Sequence, residues 1–119
     1  MFQEVLRGAV EQVDGAMGAL LMGYDGIAVD QYLPDDDGGM VETLGMEFSV
    51  ILKDVRRAAE MLEAGVTEEI VLRAEKIVAI VRLLNSEYFV VVALRPGALV
   101  GKARYFLRLA TPRFIDALG

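Results

Sequence analysis

The side chains best suited to chemistry in this sequence of 119 residues are few, and spacing tests each of them. Gly97-Ala98-Leu99-Val100-Gly101-Lys102-Ala103 follows an apolar run and brings Gly and Lys together at the opening of a helical pattern, as a phosphate-binding loop does. Such a loop needs four residues between its glycines so that successive amides can cradle phosphate, and a Ser or Thr after the lysine to hold magnesium. Here three residues separate the glycines and Ala103 follows the lysine. The segment is therefore expected to be a tight strand-to-helix turn, with Gly101 allowing close helix packing. Asp35-Asp36-Asp37-Gly38-Gly39 clusters carboxylates, which hard cations favour, but no acidic residues alternate toward a correctly spaced glutamate. A solvated loop with an aspartate near a helix N-terminus fits better, because the macrodipole favours negative charge there.

No spacing singles out a general acid-base pair among Asp25, Asp30, Glu68, Glu69 and Glu87. Ser49, Ser86 and the threonines have no histidine to activate them, although a Ser-Lys arrangement stays open. Arg104, Tyr105 and Arg108 set two cations and an aromatic together, suited either to gripping an acidic or phosphate-bearing partner or to complementing a helix C-terminus. The chain holds neither histidine nor cysteine, which removes the side chains most used for proton transfer near neutral pH and for zinc ligation. No catalytic residue, cofactor-binding residue or metal ligand is assigned, and a non-enzymatic protein is expected.

What must be positioned is instead a set of surfaces. Phe2, Val5, Leu6, Ala9 and Val13 recur at helical spacing in an opening helix that should end before Gly15. Ala16 to Met22 and Ile27 to Tyr32 read as a hairpin turning at Asp25-Gly26. A second helix over about 40 to 64 carries a core stripe of Val41, Leu44, Phe48, Ile51, Leu52, Val55, Ala59 and Leu62. A sparser row on another side, Met46, Val50 and Met61 with Arg57 interleaved, is more than a helix lying singly on a sheet needs, and it marks a partner surface. From Val66 to Ala74 the period is mostly two, as in a half-exposed marginal strand. Ile77 to Leu84, interrupted only by Arg82, and Tyr88 to Leu94 should be central strands buried on both faces, joined at Asn85-Ser86. A last helix follows, with Leu99, Ala103, Phe106, Leu107 and Ala110 inward, and Thr111-Pro112 should start a separate short terminal turn. Helix, strand, strand, helix, three strands, helix makes an α+β chain with five antiparallel strands.

Residues 1–119 are expected to form one domain. Ten acidic residues against one basic in 1–50, and eleven basic against eight acidic in 51–119, make the net charge of −6 uneven. Nucleic acid is a poor partner for such a chain. Neither a bilayer-spanning run nor a signal-like amino terminus is present in the sequence, so no membrane insertion and a cytoplasmic location are expected.

Gly18 to Val29 in the hairpin, the amphipathic stretch near Glu47 to Glu60, Glu87-Tyr88-Phe89 with its following valines, and Leu99-Val100-Gly101-Lys102-Ala103-Arg104 occur in this order. Together they resemble the Roadblock/dynein-light-chain family from Phe2 to about Leu118, with the flavour of its MglB-like bacterial stand-alone members. The resemblance implies a profilin-like α-β-β-α-β-β-β-α arrangement with sheet order 2-1-5-4-3. It implies a homodimer joined third strand to third strand with the second helices side by side, burying roughly 1,600 Å² in total. It further implies a small Ras-like GTPase of the MglA type bound on those paired helices, with hydrolysis promoted, where it is promoted, by reshaping the partner's switch regions. On that basis the dimer interface is assigned to Val50, Arg57, Met61, Val66, Thr67, Glu69, Val71 and Arg73. The partner surface is assigned to Met46, Val50, Lys53, Asp54, Arg57 and Met61. A small-molecule sensor of profilin-like or PAS-like architecture, and an oligomerising scaffold without a GTPase, stay open as other readings.

Overall fold

A computed structural model describes residues 2–35 and 37–119; Asp36 of the acidic loop lies outside the described residues. The chain runs α1 (Phe2–Glu11), β1 (Ala16–Gly23), β2 (Ala28–Tyr32), a 3-10 turn (Asp37–Gly39), α2 (Met40–Met61), β3 (Glu69–Arg73), β4 (Val78–Leu83), β5 (Tyr88–Leu94) and α3 (Val100–Leu118). One antiparallel sheet forms in the order β2-β1-β5-β4-β3. This is the α+β arrangement and strand order expected from the sequence.

The three middle strands have apolar residues at nearly every position because helices cover both of their faces. α1 and α3 bury Leu6, Val10, Leu107 and Phe114 against Leu21, Ile80, Val90, Val92 and Leu94. α2 buries Val41, Phe48 and Leu52 against Leu20, Val81, Phe89 and Val91 on the opposite face. Gly45 sets how closely α2 sits, since a Cβ there would overlap the Leu20 side chain. The hairpin turns where the sequence placed it. Gly26 takes φ +84°, its amide donates to the Gly23 carbonyl, and the Gly23 amide donates to the Ile27 carbonyl.

Several expectations are corrected. Residues 66–68 precede the third strand, which is shorter than the alternation suggested. Thr111-Pro112 starts no new helix, because α3 continues through Pro112 to Leu118. The Thr111 hydroxyl donates to the Leu107 carbonyl at 2.8 Å, and buried Phe114 stacks on Phe2 with ring centroids 6.5 Å apart. That packing outweighs the proline penalty on an exposed face. Gly101 has no heavy atom within 4 Å of a Cβ built on it; the close helix approach is at Gly8, where a Cβ would come 2.9 Å from the Phe106 ring. Among the described residues no side chain caps α2, whose N-cap is Gly39 in the left-handed region. Ile51 and Leu62, assigned to the core stripe, are exposed, because they stand on the flank of α2 that faces β3 rather than on the side pressed against the sheet.

Candidate functional site

Both outer strands of an open sheet carry backbone groups without a strand partner, but this sheet treats its two edges differently. On β2 the Gln31 amide donates to the Asp30 carboxylate at 2.8 Å. Gln3 of α1 donates to both the Gln31 carbonyl at 2.7 Å and Asp30 Oδ1 at 2.5 Å. Those side chains occupy the edge a further strand would need. Among the described residues, no side chain bonds the backbone of β3.

The phase of the β3–β4 ladder identifies which β3 groups are free. The Leu83 amide donates to the Glu68 carbonyl at 3.0 Å and the Ala74 amide to the Ile77 carbonyl at 2.9 Å. Hydrogen-bonded pairs recur every second residue, so Ile70 and Leu72 turn their amides and carbonyls toward β4. Glu69, Val71 and Arg73 turn theirs outward. The side chains follow the pleat: Glu69, Val71 and Arg73 lie on the α3 face, and Ile70 and Leu72 on the α2 face.

Beside this edge stands an apolar flank of α2. Glu42 and Met46 line a cleft with Ala28, Val29, Asp30 and Gln31 of β2, so the opposite flank of the helix faces β3. Leu44, Ile51, Val55 and Leu62 share that flank at helical spacing. Leu62 is 78% exposed, Val66 in the following turn 90%, and Ile51 and Leu72 are also open to solvent. The expected row of Met46, Val50 and Met61 is exposed as well, off the flank of α2 that faces β3, with Lys53 and with Arg57 paired to Asp54 at 3.4 Å. Thr67 is half-buried, and its hydroxyl has no partner among the described residues. The structure thus brings Glu69, Val71 and Arg73 to one edge and leaves Val50, Arg57 and Met61 on a separate ridge. The flank residues Ile51, Leu62 and Leu72 were not singled out from sequence as surface. For Ile51 and Leu62 the signal was an apolar arc on α2 wider than one sheet contact needs.

Tyr24 ties α2 to the end of the sheet. Its ring stacks on Phe89 at 5.5 Å, the Arg56 guanidinium lies 4.5 Å over it, and its hydroxyl donates to the Asn85 carbonyl at 3.2 Å. Burial pushes the Tyr24 phenol above its ordinary value of 10.0, with the Arg56 charge opposing. Among the described residues no group of acidic side chains is arranged to hold a metal ion, and no helix is long and apolar enough to cross a membrane.

MglC from Myxococcus xanthus, a solved structure, is 34% identical to this chain, with 98% of each covered and a TM-score of 0.71. The chain belongs to the Roadblock family. A Roadblock/LC7 domain from Streptomyces avermitilis superposes with a TM-score of 0.84 at 16% identity, over 97% of this chain and 95% of its own. An MglB solved with a tetrameric arrangement does so at 0.83 and 19% identity, over 96% and 85%. A scan against family models matches none, and a search of curated proteins finds no relative. Membership places the chain among Roadblock-type regulatory and scaffold domains.

Proposed function

We propose that residues 1–119 act as one Roadblock domain that pairs with a second copy through β3 and there presents a surface to a small Ras-like GTPase of the MglA type. In this reading the protein is a cytoplasmic regulator without an active site of its own. The observation that carries it is the unblocked β3 edge beside an exposed apolar flank, on a sheet whose other edge is plugged by its own side chains. Residues Glu69, Val71 and Arg73 would exchange backbone hydrogen bonds with the same residues of a second copy. Ile51, Leu62 and Val66, with Thr67 beside them, would close the seam above. A self-complementary edge and flank suit a twofold joint, in which one patch meets its own copy. The MglB structure in a tetrameric arrangement supports self-association in a relative.

Pairing of two α2 helices would set their outer rows side by side. Met46, Val50, Lys53, Asp54, Arg57 and Met61 would then form one composite ridge, apolar with charged residues interleaved, as partner surfaces commonly are. Val50, Arg57 and Met61, nearest the middle of that ridge, would serve both joint and partner. The test is a pull-down of GDP-loaded and GTP-loaded small GTPases from the same cell, with light scattering in parallel. Capture of a GTPase by a dimer is the expected result. A monomer of 13.0 kDa, or a dimer that captures none in either nucleotide state, would refute the joint or the partner respectively.

A further inference from the structure

We propose that the cleft between the β3–β4 edge and α3 is an oxyanion site that takes a phosphate group. It lies on the α3 face of the sheet, apart from the β3 backbone edge and the α2 flank, and one copy of the chain supplies all of it.

Three guanidiniums from two elements line this cleft of about 430 Å³: Arg82 of β4, and Arg104 and Arg108 of α3. Arg82 is the single charged residue in an otherwise apolar central strand. Its side chain is only 16% exposed, and so is that of Glu69, its neighbour across the ladder. Glu69 accepts a hydrogen bond from Arg104 Nε at 2.6 Å and stands 3.7 Å from Arg82 Nη1. One carboxylate is thus shared between two cations. The buried Arg82 Nε has no hydrogen-bond partner among the described residues, an arrangement that costs free energy unless an acceptor arrives. Arg108 adds a third positive charge. It lies 5.5 Å over the Tyr105 ring and makes no ion pair among the described residues.

The charges left over are donors without acceptors. The side chains of Arg82, Arg108 and Tyr105 line the same space, and among the described residues that line it Glu68, on the exposed rim, is the only opposing charge besides Glu69. Guanidinium forks match the oxygens of a phosphate in spacing and plane, and several forks share one tetrahedral dianion more readily than one carboxylate. Gly101 keeps the α3 end of the cleft open, since nothing lies within 4 Å of the place a Cβ would occupy. The glycine of the rejected phosphate-loop pattern therefore borders a site built mainly from side chains.

The test titrates the protein with inorganic phosphate and, separately, with glycerol 3-phosphate, at ionic strength held constant with chloride. The readout is the arginine Nε–Hε correlations by NMR. A saturable shift of the Arg82 signal is expected, with Arg108→Gln, an exposed position, weakening it roughly fivefold and Glu69→Gln tightening it. Saturation by both probes assigns the site to free phosphate, and saturation by the ester alone assigns it to phosphate carried on a larger molecule. No saturable shift with either probe, or an unchanged affinity in Arg108→Gln, would overturn the proposal.

Discussion

Val71→Pro tests the open edge at its centre. The Val71 amide points away from β4, so a proline there breaks no bond within the subunit, and edge strands tolerate it. Its half-buried side chain packs against the α1–α3 core, and trimming that contact costs about 1 kcal/mol. Across a twofold joint the loss counts twice. Each subunit forfeits one donor and leaves an acceptor of the other unpaired, at about 1 to 3 kcal/mol apiece. The sum is about 2 to 6 kcal/mol, and its lower bound alone weakens association about thirtyfold. Leu72→Pro is the control: that amide faces β4, and its loss, which leaves a carbonyl of β4 unpaired, should cost about 1 to 3 kcal/mol of subunit stability. Light scattering over a dilution series reads the mass, and thermal melting reads the fold. The reasoning fails if Val71→Pro keeps twice 13.0 kDa at every concentration where the parent does.

The other expectations concern the helices and one tyrosine. Met46→Asp and Met61→Asp should leave melting within about 0.5 kcal/mol of the parent, as exposed positions do, while disrupting dimerisation or partner capture; retention of both would remove that ridge from the proposal. Pro112→Ala should raise stability by about 1 to 3 kcal/mol, since a helix-interior proline costs roughly 3 and its stiffening of the unfolded chain offsets part of that; a urea midpoint at or below the parent's would contradict the account of α3. Because burial raises the Tyr24 phenol, its stabilising effect is fully present below pH 10.0 and is lost as pH climbs through the higher folded value. Tyr24→Phe should therefore lose less stability than the parent on going above pH 10, and parallel pH curves would count against it.

Elements with one periodic face were legible in the sequence. α1 and the hairpin turn stand where spacing and Asp25-Gly26 put them, and the unbroken apolar runs of β4 and β5 marked the middle of the sheet. Sequence failed where tertiary packing overrides a local signal. Pro112 looks like a helix start until Phe114 is seen locked against Phe2, and Ile51 and Leu62 match the period of the core stripe although both are exposed on its flank. The Glu69–Arg82–Arg104 cluster joins residues 13 and 35 positions from Glu69. Only the lone arginine in β4 hinted at it. Which edge stays open was equally hidden, because it depends on Gln3 reaching across to Gln31.

One short strand serves two proposed purposes, and the pleat keeps them separable. Glu69 turns its backbone to the open edge and its side chain to the cleft under α3. Glu69→Gln changes charge at the cleft and leaves the outward amide and carbonyl in place. Val71→Pro removes an edge donor and leaves the arginines and their carboxylate untouched. If the two proposals are independent, Glu69→Gln alters phosphate affinity at constant dimer affinity, and Val71→Pro does the reverse. A change of both by either substitution would mean that the second copy reaches over β3 and into the cleft, and that the oxyanion site is coupled to dimerisation.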